Sequence, residues 1–252
     1  MTKTVAIAGK GGTGKTTLAA VLAELLSQKG VVLAIDADPS SNLHLTLGVD
    51  MSCTVGSARE ELLTEVRKGT FPASMAKQDY LDMRIQESIV EGSRIDLLAM
   101  GRPEGPGCYC AANNMIRVAL DRIEGNYGFI VIDNEAGMEH ISRQTTQDVD
   151  VLLLVSDPTV RGMVTAIRMK ELIGEIRTSV GRVALIVNRA TNGLSAEVQR
   201  LIKESGLDLV SVIPQDRSVE VADTEGTPLS SLPADSPVRQ SVLEVAQKVG
   251  LI

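Results

Sequence analysis

Short apolar runs recur along the chain, and longer stretches with apolar positions at helical spacing separate them. The runs are rich in Val, Ile and Leu without polar alternation, a pattern typical of strands that are buried on both faces. The predicted strands are residues 4–8, 31–35, 95–100, 129–132, 151–155, 183–187 and 209–213. This alternation predicts an α/β fold: a doubly wound, mainly parallel sheet flanked by helices, with ligands at the carboxyl ends of its strands.

Composition is consistent with this class and with one domain. Of the 252 residues, 44% are hydrophobic and only 2% are aromatic, so the core must consist of Val, Leu, Ile, Ala and Met. No linker or low-complexity tract divides the chain, and single α/β domains often run past about 200 residues. We therefore predict a single domain over residues 1–252.

A glycine-rich segment, GKGGTGKTT at residues 9–17, follows the first predicted strand and precedes a predicted helix. It matches the phosphate-binding pattern GxxxxGK[ST], in which backbone N–H groups and the helix N-terminus surround phosphate oxygens. Lys15 is expected to reach the β- and γ-phosphates and Thr16 to ligate Mg²⁺. The residues predicted to bind nucleotide in this loop are Gly9, Gly11, Gly12, Thr13, Gly14, Lys15, Thr16 and Thr17.

Carboxylates follow two other predicted strands. After the second strand, Asp38 is predicted to position an attacking water, and Asp36 to support the loop or the metal shell. The alternative is that both aspartates only cap the next helix. After the fourth strand, Asp133 is predicted to hold Mg²⁺ directly or through water, and residues 133–140 to form a switch in which the Gly137 N–H meets the γ-phosphate. The alternative for Asp133 is a solvated carboxylate at a strand end.

Polar residues also follow the last two predicted strands. A side-chain amide can donate to and accept from a purine edge at once, which makes Asn188 a candidate contact to the base. The last strand ends in Pro214, Gln215 and Asp216, which could form one wall of the base site. The alternative for each of these residues is an ordinary turn.

Charge and hydropathy argue against two classes of partner. The net charge is −7 with no dense Lys/Arg run, which argues against nonspecific binding to nucleic acid. The sequence contains no stretch of 18 apolar residues, and the C-terminal segment at 242–249 lacks the basic face of a membrane-surface helix. No signal peptide precedes the first strand. We therefore expect a cytoplasmic protein with no nucleic-acid and no membrane partner.

A pair of cysteines, Cys108 and Cys110, follows the loop GRPEGPG at 101–107, whose prolines and glycines block helix and strand alike. Thiolates select soft or borderline metals such as Ni²⁺, Zn²⁺ and Cu⁺. Two thiolates are too few for a closed tetrahedral site, but two copies of the chain would supply four. The pair therefore predicts a metal site tied to dimerisation. Two buried structural cysteines or a redox-active pair are the alternatives, and Cys53 is interpreted as structural.

The segment KGGTGKTT at 10–17 resembles the deviant Walker A motif of the MinD/ParA and nitrogenase-iron-protein class of P-loop NTPases. Residues 36–39 and 133–137 fall where that class has its two switches, and Asn188 and Pro214 fall at its base site. The resemblance implies an ATPase that converts ATP to ADP and phosphate. It further implies that Lys10 reaches the phosphates of a partner subunit, so that ATP tightens a homodimer. Lys10, Lys15 and Asp38 are then the residues expected to act in catalysis.

Within that class, the Cys-x-Cys pair and the segment AGMEH at 136–140 are similar to the CooC-type ATPases. That resemblance implies an ATP-dependent metallochaperone that uses ATP and Mg²⁺ and carries nickel, with zinc as the alternative metal. It also implies a client nickel enzyme, carbon monoxide dehydrogenase or acetyl-CoA synthase. Two other functions stay open: a positioning ATPase of the MinD/ParA type, and an iron–sulfur reductase of the nitrogenase iron protein type. The reductase uses two well-separated cysteines per subunit, whereas here the two lie one residue apart.

Overall fold

The computed structural model describes residues 1–72, 74–101, 123–136, 148–175 and 179–252, and the structural statements below concern these residues. Three residues singled out from the sequence lie outside these ranges: Cys108, Cys110 and Gly137. The predictions made for them therefore stay predictions.

Seven strands form one parallel sheet in the order β3-β2-β4-β1-β5-β6-β7. Their bounds are β1 Lys3–Gly9, β2 Val32–Ala37, β3 Ile95–Ala99, β4 Phe129–Asn134, β5 Asp148–Ser156, β6 Ser179–Ala190 and β7 Asp208–Pro214. Each overlaps a strand predicted from the sequence. The predicted doubly wound parallel sheet is confirmed.

Helices cover both faces of this sheet. They are α1 Lys15–Ser27, α2 Leu43–Leu47, α3 Val55–Lys68, α4 Lys77–Glu87, α5 Val160–Glu175, α6 Ala196–Ser205, α7 Arg217–Glu225 and α8 Pro237–Lys248, with short 3-10 turns at Glu124–Asn126 and Leu229–Ser231. Helices α1 and α8 pack on one face, and α3 to α6 on the other. Because strand side chains alternate between the faces, the buried residues of β1 divide between the two layers. Val5 and Ile7 join the first layer, and Ala6 and Ala8 join the second.

The parallel register gathers polar strand ends at one edge of the sheet. Asp36 on β2 lies opposite Asp133 on β4, and Asp133 in turn lies opposite Ile7 on β1. On its other side, β1 pairs with β5, so that Gly9 lies opposite Val155. Because β1 is central, the loop that leaves it at Gly9 is flanked by the carboxyl ends of both neighbouring strands.

Candidate nucleotide site

Two glycines of the loop at 9–17, Gly9 and Gly14, are required by packing or backbone conformation. A Cβ on Gly9 would lie 2.2 Å from the carbonyl oxygen of Val155, so no larger residue fits where β1 ends. Gly14 precedes the first turn of α1 with a φ of 89°, a left-handed conformation that is costly for residues with a Cβ. The loop thus turns sharply into α1 and leaves the N-terminus of that helix facing the edge of the sheet.

The two lysines of the loop differ in their surroundings. Lys15 is buried, and its Nζ donates to the carbonyl oxygen of Lys10 at 3.4 Å, while the Thr13 hydroxyl donates to the same oxygen at 2.9 Å. The side chain of Lys10 is 50% exposed, and its Nζ lies 3.9 Å from a carboxylate oxygen of Asp157. Lys15 therefore belongs to the interior of the loop, whereas Lys10 is accessible from outside it.

The residues predicted to hold Mg²⁺ lie together. The Thr16 hydroxyl donates to Asp133 Oδ2 at 2.6 Å, and Asp133 is 1% exposed. Its other carboxylate oxygen is buried and has no hydrogen-bond partner among the described residues. Burial raises the pKa of Asp133 to about 7, the Thr16 hydroxyl opposes that rise, and nearby Asp36 adds to it. A hydroxyl and a buried carboxylate with an unpartnered oxygen are hard ligands of the kind that Mg²⁺ prefers, so these residues fit the ion.

Asp36 shapes the turn that follows β2. Its two carboxylate oxygens accept the backbone N–H groups of Asp38 at 3.0 Å and Leu43 at 2.8 Å. Burial raises the pKa of Asp36 to about 6, and these two hydrogen bonds limit that increase. The carboxylate of Asp38 in turn accepts the Ser40 N–H at 2.8 Å. These contacts agree with a loop-supporting role for Asp36, whose bond from the Leu43 N–H lies at the start of α2. The bond between Asp38 and Ser40 is a local turn contact and does not cap α2.

A cavity of about 250 Å³ opens beside the first turn of α1. Its lining includes all four residues predicted to surround the base, together with Thr17 and Arg189. Asp216 contributes to the wall rather than offering a free carboxylate, because its oxygens accept hydrogen bonds from the Ser218 and Ser236 hydroxyls and from backbone N–H groups. Burial raises the pKa of Asp216, but these hydrogen bonds outweigh that effect and keep it below its usual range.

Asn188 makes two hydrogen bonds within the protein that the sequence did not predict. Its Nδ2 donates to the carbonyl oxygen of Thr13 at 2.8 Å, and its Oδ1 accepts the N–H of Arg189 at 2.9 Å. One donor and one acceptor position of the amide are therefore committed to the protein rather than to a purine edge. Arg189 was missed from the sequence, although its guanidinium donates to the Gly12 carbonyl oxygen at 2.8 Å. A single arginine after a strand carries no signal that would reveal such a contact.

Among the helices of the described ranges, none is both long and apolar enough to cross a membrane. Within the same ranges, no group of three or more His, Cys, Asp or Glu side chains is arranged to hold a metal ion. Cys108 and Cys110 lie outside these ranges.

The glycine-rich loop, the hydrogen-bonded Thr16–Asp133 pair and the adjoining cavity define a P-loop nucleotide-binding protein. The family model described as the CobQ/CobB/MinD/ParA nucleotide binding domain matches residues 4–229. The chain therefore belongs to that family, and nucleotide binding follows from membership.

Two curated relatives span nearly the whole chain. The chain is 43% identical over 246 residues to an uncharacterized ATP-binding protein of Methanocaldococcus jannaschii, with 97% of each chain covered. It is 32% identical over 235 residues to the carbon monoxide dehydrogenase accessory protein CooC of Rhodospirillum rubrum, with 88% of this chain and 87% of that protein covered.

Solved structures with the same fold belong to MinD and ParA proteins. The cell division ATPase MinD of Pyrococcus furiosus aligns with a TM-score of 0.73 at 20% identity, covering 100% of this chain and 99% of that one. MinD of Pyrococcus horikoshii, solved in complex with Mg-ADP, aligns with a TM-score of 0.72 at 22% identity, covering 99% and 96%. At these identities the likeness establishes the fold.

Proposed function

We propose that the protein is an ATP-dependent metallochaperone for a nickel enzyme, carbon monoxide dehydrogenase or acetyl-CoA synthase. The observation that carries the proposal is the 32% identity to a carbon monoxide dehydrogenase accessory protein over 88% of the chain. The sequence adds Cys108 and Cys110, two thiols suited to a soft or borderline metal. The cargo is nickel, with zinc as the competing metal, and the energy comes from hydrolysis of ATP to ADP and phosphate.

In this proposal the loop residues bind and orient the phosphates of ATP. Lys15, already buried in the loop, contacts the β- and γ-phosphates. Thr16 and Asp133, whose side-chain oxygens are 2.6 Å apart, hold Mg²⁺. When bound there, Mg²⁺ would supply positive charge that stabilises the transferred phosphoryl group. Asp38 orients the attacking water from a turn that the Asp36 carboxylate fixes through backbone N–H groups.

The proposed active unit is a homodimer that forms when ATP binds. Lys10 is half exposed, and its ion pair with Asp157 is 3.9 Å long, so exchanging that carboxylate for a partner's phosphate costs little. Two subunits also bring two copies of Cys108 and Cys110 into one assembly, which supplies four thiolates. If closing the dimer changes the affinity for metal, then metal must by linkage favour one nucleotide state.

Metal uptake tests the cargo site. The purified protein is incubated with Ni²⁺ or Zn²⁺, desalted and analysed for bound metal. Four thiolates per dimer predict about one ion per two chains for the wild type, no retained ion for the C108A/C110A double variant, and unchanged uptake for the matched control C53A. Equal uptake by the wild type and the double variant would exclude the site.

A nucleotide-dependent measurement tests the coupling. The same titration is repeated with Mg-ADP and with a non-hydrolysable ATP analogue, while phosphate release from ATP measures the hydrolase activity. We expect the metal affinity to differ between the two nucleotide states, and the difference to vanish in C108A/C110A. Identical metal affinity in both nucleotide states would contradict the proposed coupling, even if the protein hydrolyses ATP.

A further inference from the structure

Two consecutive residues at the carboxyl end of β6 hold two consecutive carbonyl groups of the phosphate loop. The Asn188 amide donates to the Thr13 carbonyl oxygen, and the Arg189 guanidinium donates to the Gly12 carbonyl oxygen, each at 2.8 Å. These contacts join segments that lie 175 and 177 residues apart in the sequence. The loop is therefore held from outside by β6 as well as by its own turns.

The backbone at this end of β6 is built to make the two contacts. The β6–β7 register shifts between Val187 and Ala190, and Arg189 has a φ of 60°. A left-handed arginine costs free energy and persists only where its surroundings enforce it. Here the Asn188 Oδ1 accepts the Arg189 N–H, and a Cβ on Gly14 would lie 2.5 Å from Asn188 Nδ2. The strained residue is thus locked against the loop that it contacts.

The geometry of the peptide unit links these carbonyl contacts to the direction of the neighbouring N–H groups. In a trans peptide the C=O of one residue and the N–H of the next point in opposite directions within one plane. Drawing the carbonyls of Gly12 and Thr13 toward Asn188 and Arg189 therefore turns the N–H groups of Thr13 and Gly14 away from them. Those are loop N–H groups of the kind that surround phosphate oxygens in this motif.

We infer that Asn188 and Arg189 are positioning residues for phosphate binding, which orient the N–H groups of Thr13 and Gly14 toward the β-phosphate. This inference rests on the nucleotide-binding part of the proposed function and is independent of metal delivery. Asn188 and Arg189 also line the cavity predicted to hold the base, so this positioning role is additional to any contact with the base. Loss of either loop contact frees the loop peptides to rotate.

The test compares Mg-ADP with AMP by isothermal titration, since only ADP carries a β-phosphate. For R189A we expect affinity for ADP to fall about tenfold, as for loss of one charge-assisted hydrogen bond, while affinity for AMP changes much less. R189K, which keeps a single donor, should recover part of the loss. R200A removes the same charge from an exposed arginine that pairs with Glu197 and Glu204, and it should match the wild type.

N188D separates the positioning role from a base contact. The aspartate can still accept the Arg189 N–H but has no donor for the Thr13 carbonyl, so the ratio of ADP to AMP affinity should fall as in R189A. An equal loss for ADP and AMP would instead indicate a contact to the base and overturn the inference, as would unchanged binding in R189A. If N188D fails to fold, the results for R189A and R189K alone decide whether the positioning role holds. A wild-type protein that binds neither nucleotide would refute the proposed function itself.

Discussion

At the scale of single residues, Asp133 and Asp36 carry the main electrostatic cost of the site. Both carboxyl groups are buried, and burial raises their pKa values to about 7 and about 6. In the unfolded chain both return to the ordinary value near 4. Between about pH 4 and pH 7 the folded chain therefore binds more protons than the unfolded chain. Its free energy of unfolding accordingly falls as the pH rises through that window.

The substitution D133N should weaken this pH dependence. The asparagine keeps an acceptor for the Thr16 hydroxyl but carries no charge to bury. Without nucleotide and with EDTA, we expect the melting temperature of D133N to decline less than that of the wild type between pH 5 and 7.5, and to be higher at pH 7.5. Thermal unfolding monitored by circular dichroism measures this. The exposed carboxylate of Asp208 supplies the control, D208N, and parallel curves for D133N and the wild type would contradict the account.

Besides Arg189, Ser41 beside the turn of Asp38 is a non-glycine residue with a left-handed backbone. Ser41 has a φ of 47° and is buried, and its hydroxyl donates to the Asp38 carbonyl oxygen at 3.3 Å. Glycine adopts this conformation without the cost of a Cβ, so S41G should raise the free energy of unfolding by about 1 kcal/mol. At neighbouring Ser40, where φ is not positive, the same change should lower it by about 0.5–1 kcal/mol. Urea denaturation distinguishes the two, and equal effects would argue against strain at Ser41.

Whether a residue of the site could be predicted from the sequence depends on how far along the chain its contacts lie. The loop from Gly9 to Thr17 could be predicted because spacing within a few residues encodes it. The approach of Thr16 to Asp133 followed from the rule that parallel strands end at the same edge. The contacts of Asn188 and Arg189 with the loop could not be predicted. They depend on a register shift and a left-handed residue that only the folded sheet produces.

At the scale of elements, Asp216 joins the end of β7 to two helices. Its Oδ1 accepts the Ser218 N–H at 2.9 Å and so caps α7, and its Oδ2 accepts the Ser236 hydroxyl at 2.6 Å and the Val238 N–H at 3.2 Å at the start of α8. Because α8 packs in the same hydrophobic layer as α1, this carboxylate helps fix the wall of the cavity beside the phosphate loop.

We expect D216N to destabilise the protein by about 2 kcal/mol, since one amide oxygen replaces two carboxylate oxygens that accept hydrogen bonds from buried groups. The depressed pKa of Asp216 means that its contribution is present at neutral pH and is lost as the pH falls through the acid range. Urea denaturation at pH 7 and pH 3.5 tests both statements. The control D208N, at an exposed ion pair with Arg182, should lower the free energy of unfolding by less than about 1 kcal/mol.

The pattern of apolar runs predicted the strands well and the region between β2 and β3 less well. Buried parallel strands are continuous apolar runs, and that signal survives without knowledge of the neighbours. The helices α2, α3 and α4 that separate β2 from β3 are harder to delimit, because each buries only a few residues. Of the three, α3 begins at a side-chain cap, the Thr54–Ser57 capping box, whereas α2 and α4 begin without one.

At the scale of the whole molecule, the proposed role of the half-exposed Lys10 is to connect nucleotide state to assembly. The substitution K10A should leave binding of Mg-ADP within a few-fold of the wild type, because Lys15 and the loop N–H groups remain. We expect a non-hydrolysable ATP analogue to increase the molecular mass of the wild type, and K10A to abolish that increase. Light scattering coupled to size exclusion measures this mass, and K29A, at the exposed end of α1, is the matched control. If K10A still formed a dimer with the analogue, Lys10 would not be required for the interface.

The link between β6 and the phosphate loop has a consequence for synthesis of the chain. The loop leaves the ribosome early, but Asn188 and Arg189 are made 175 and 177 residues after the residues that they hold. At roughly 5–20 residues per second, about 9–35 seconds separate the two events. During that interval the loop lacks both contacts from β6. We therefore expect nucleotide to bind the nascent chain more weakly before β6 is translated than after.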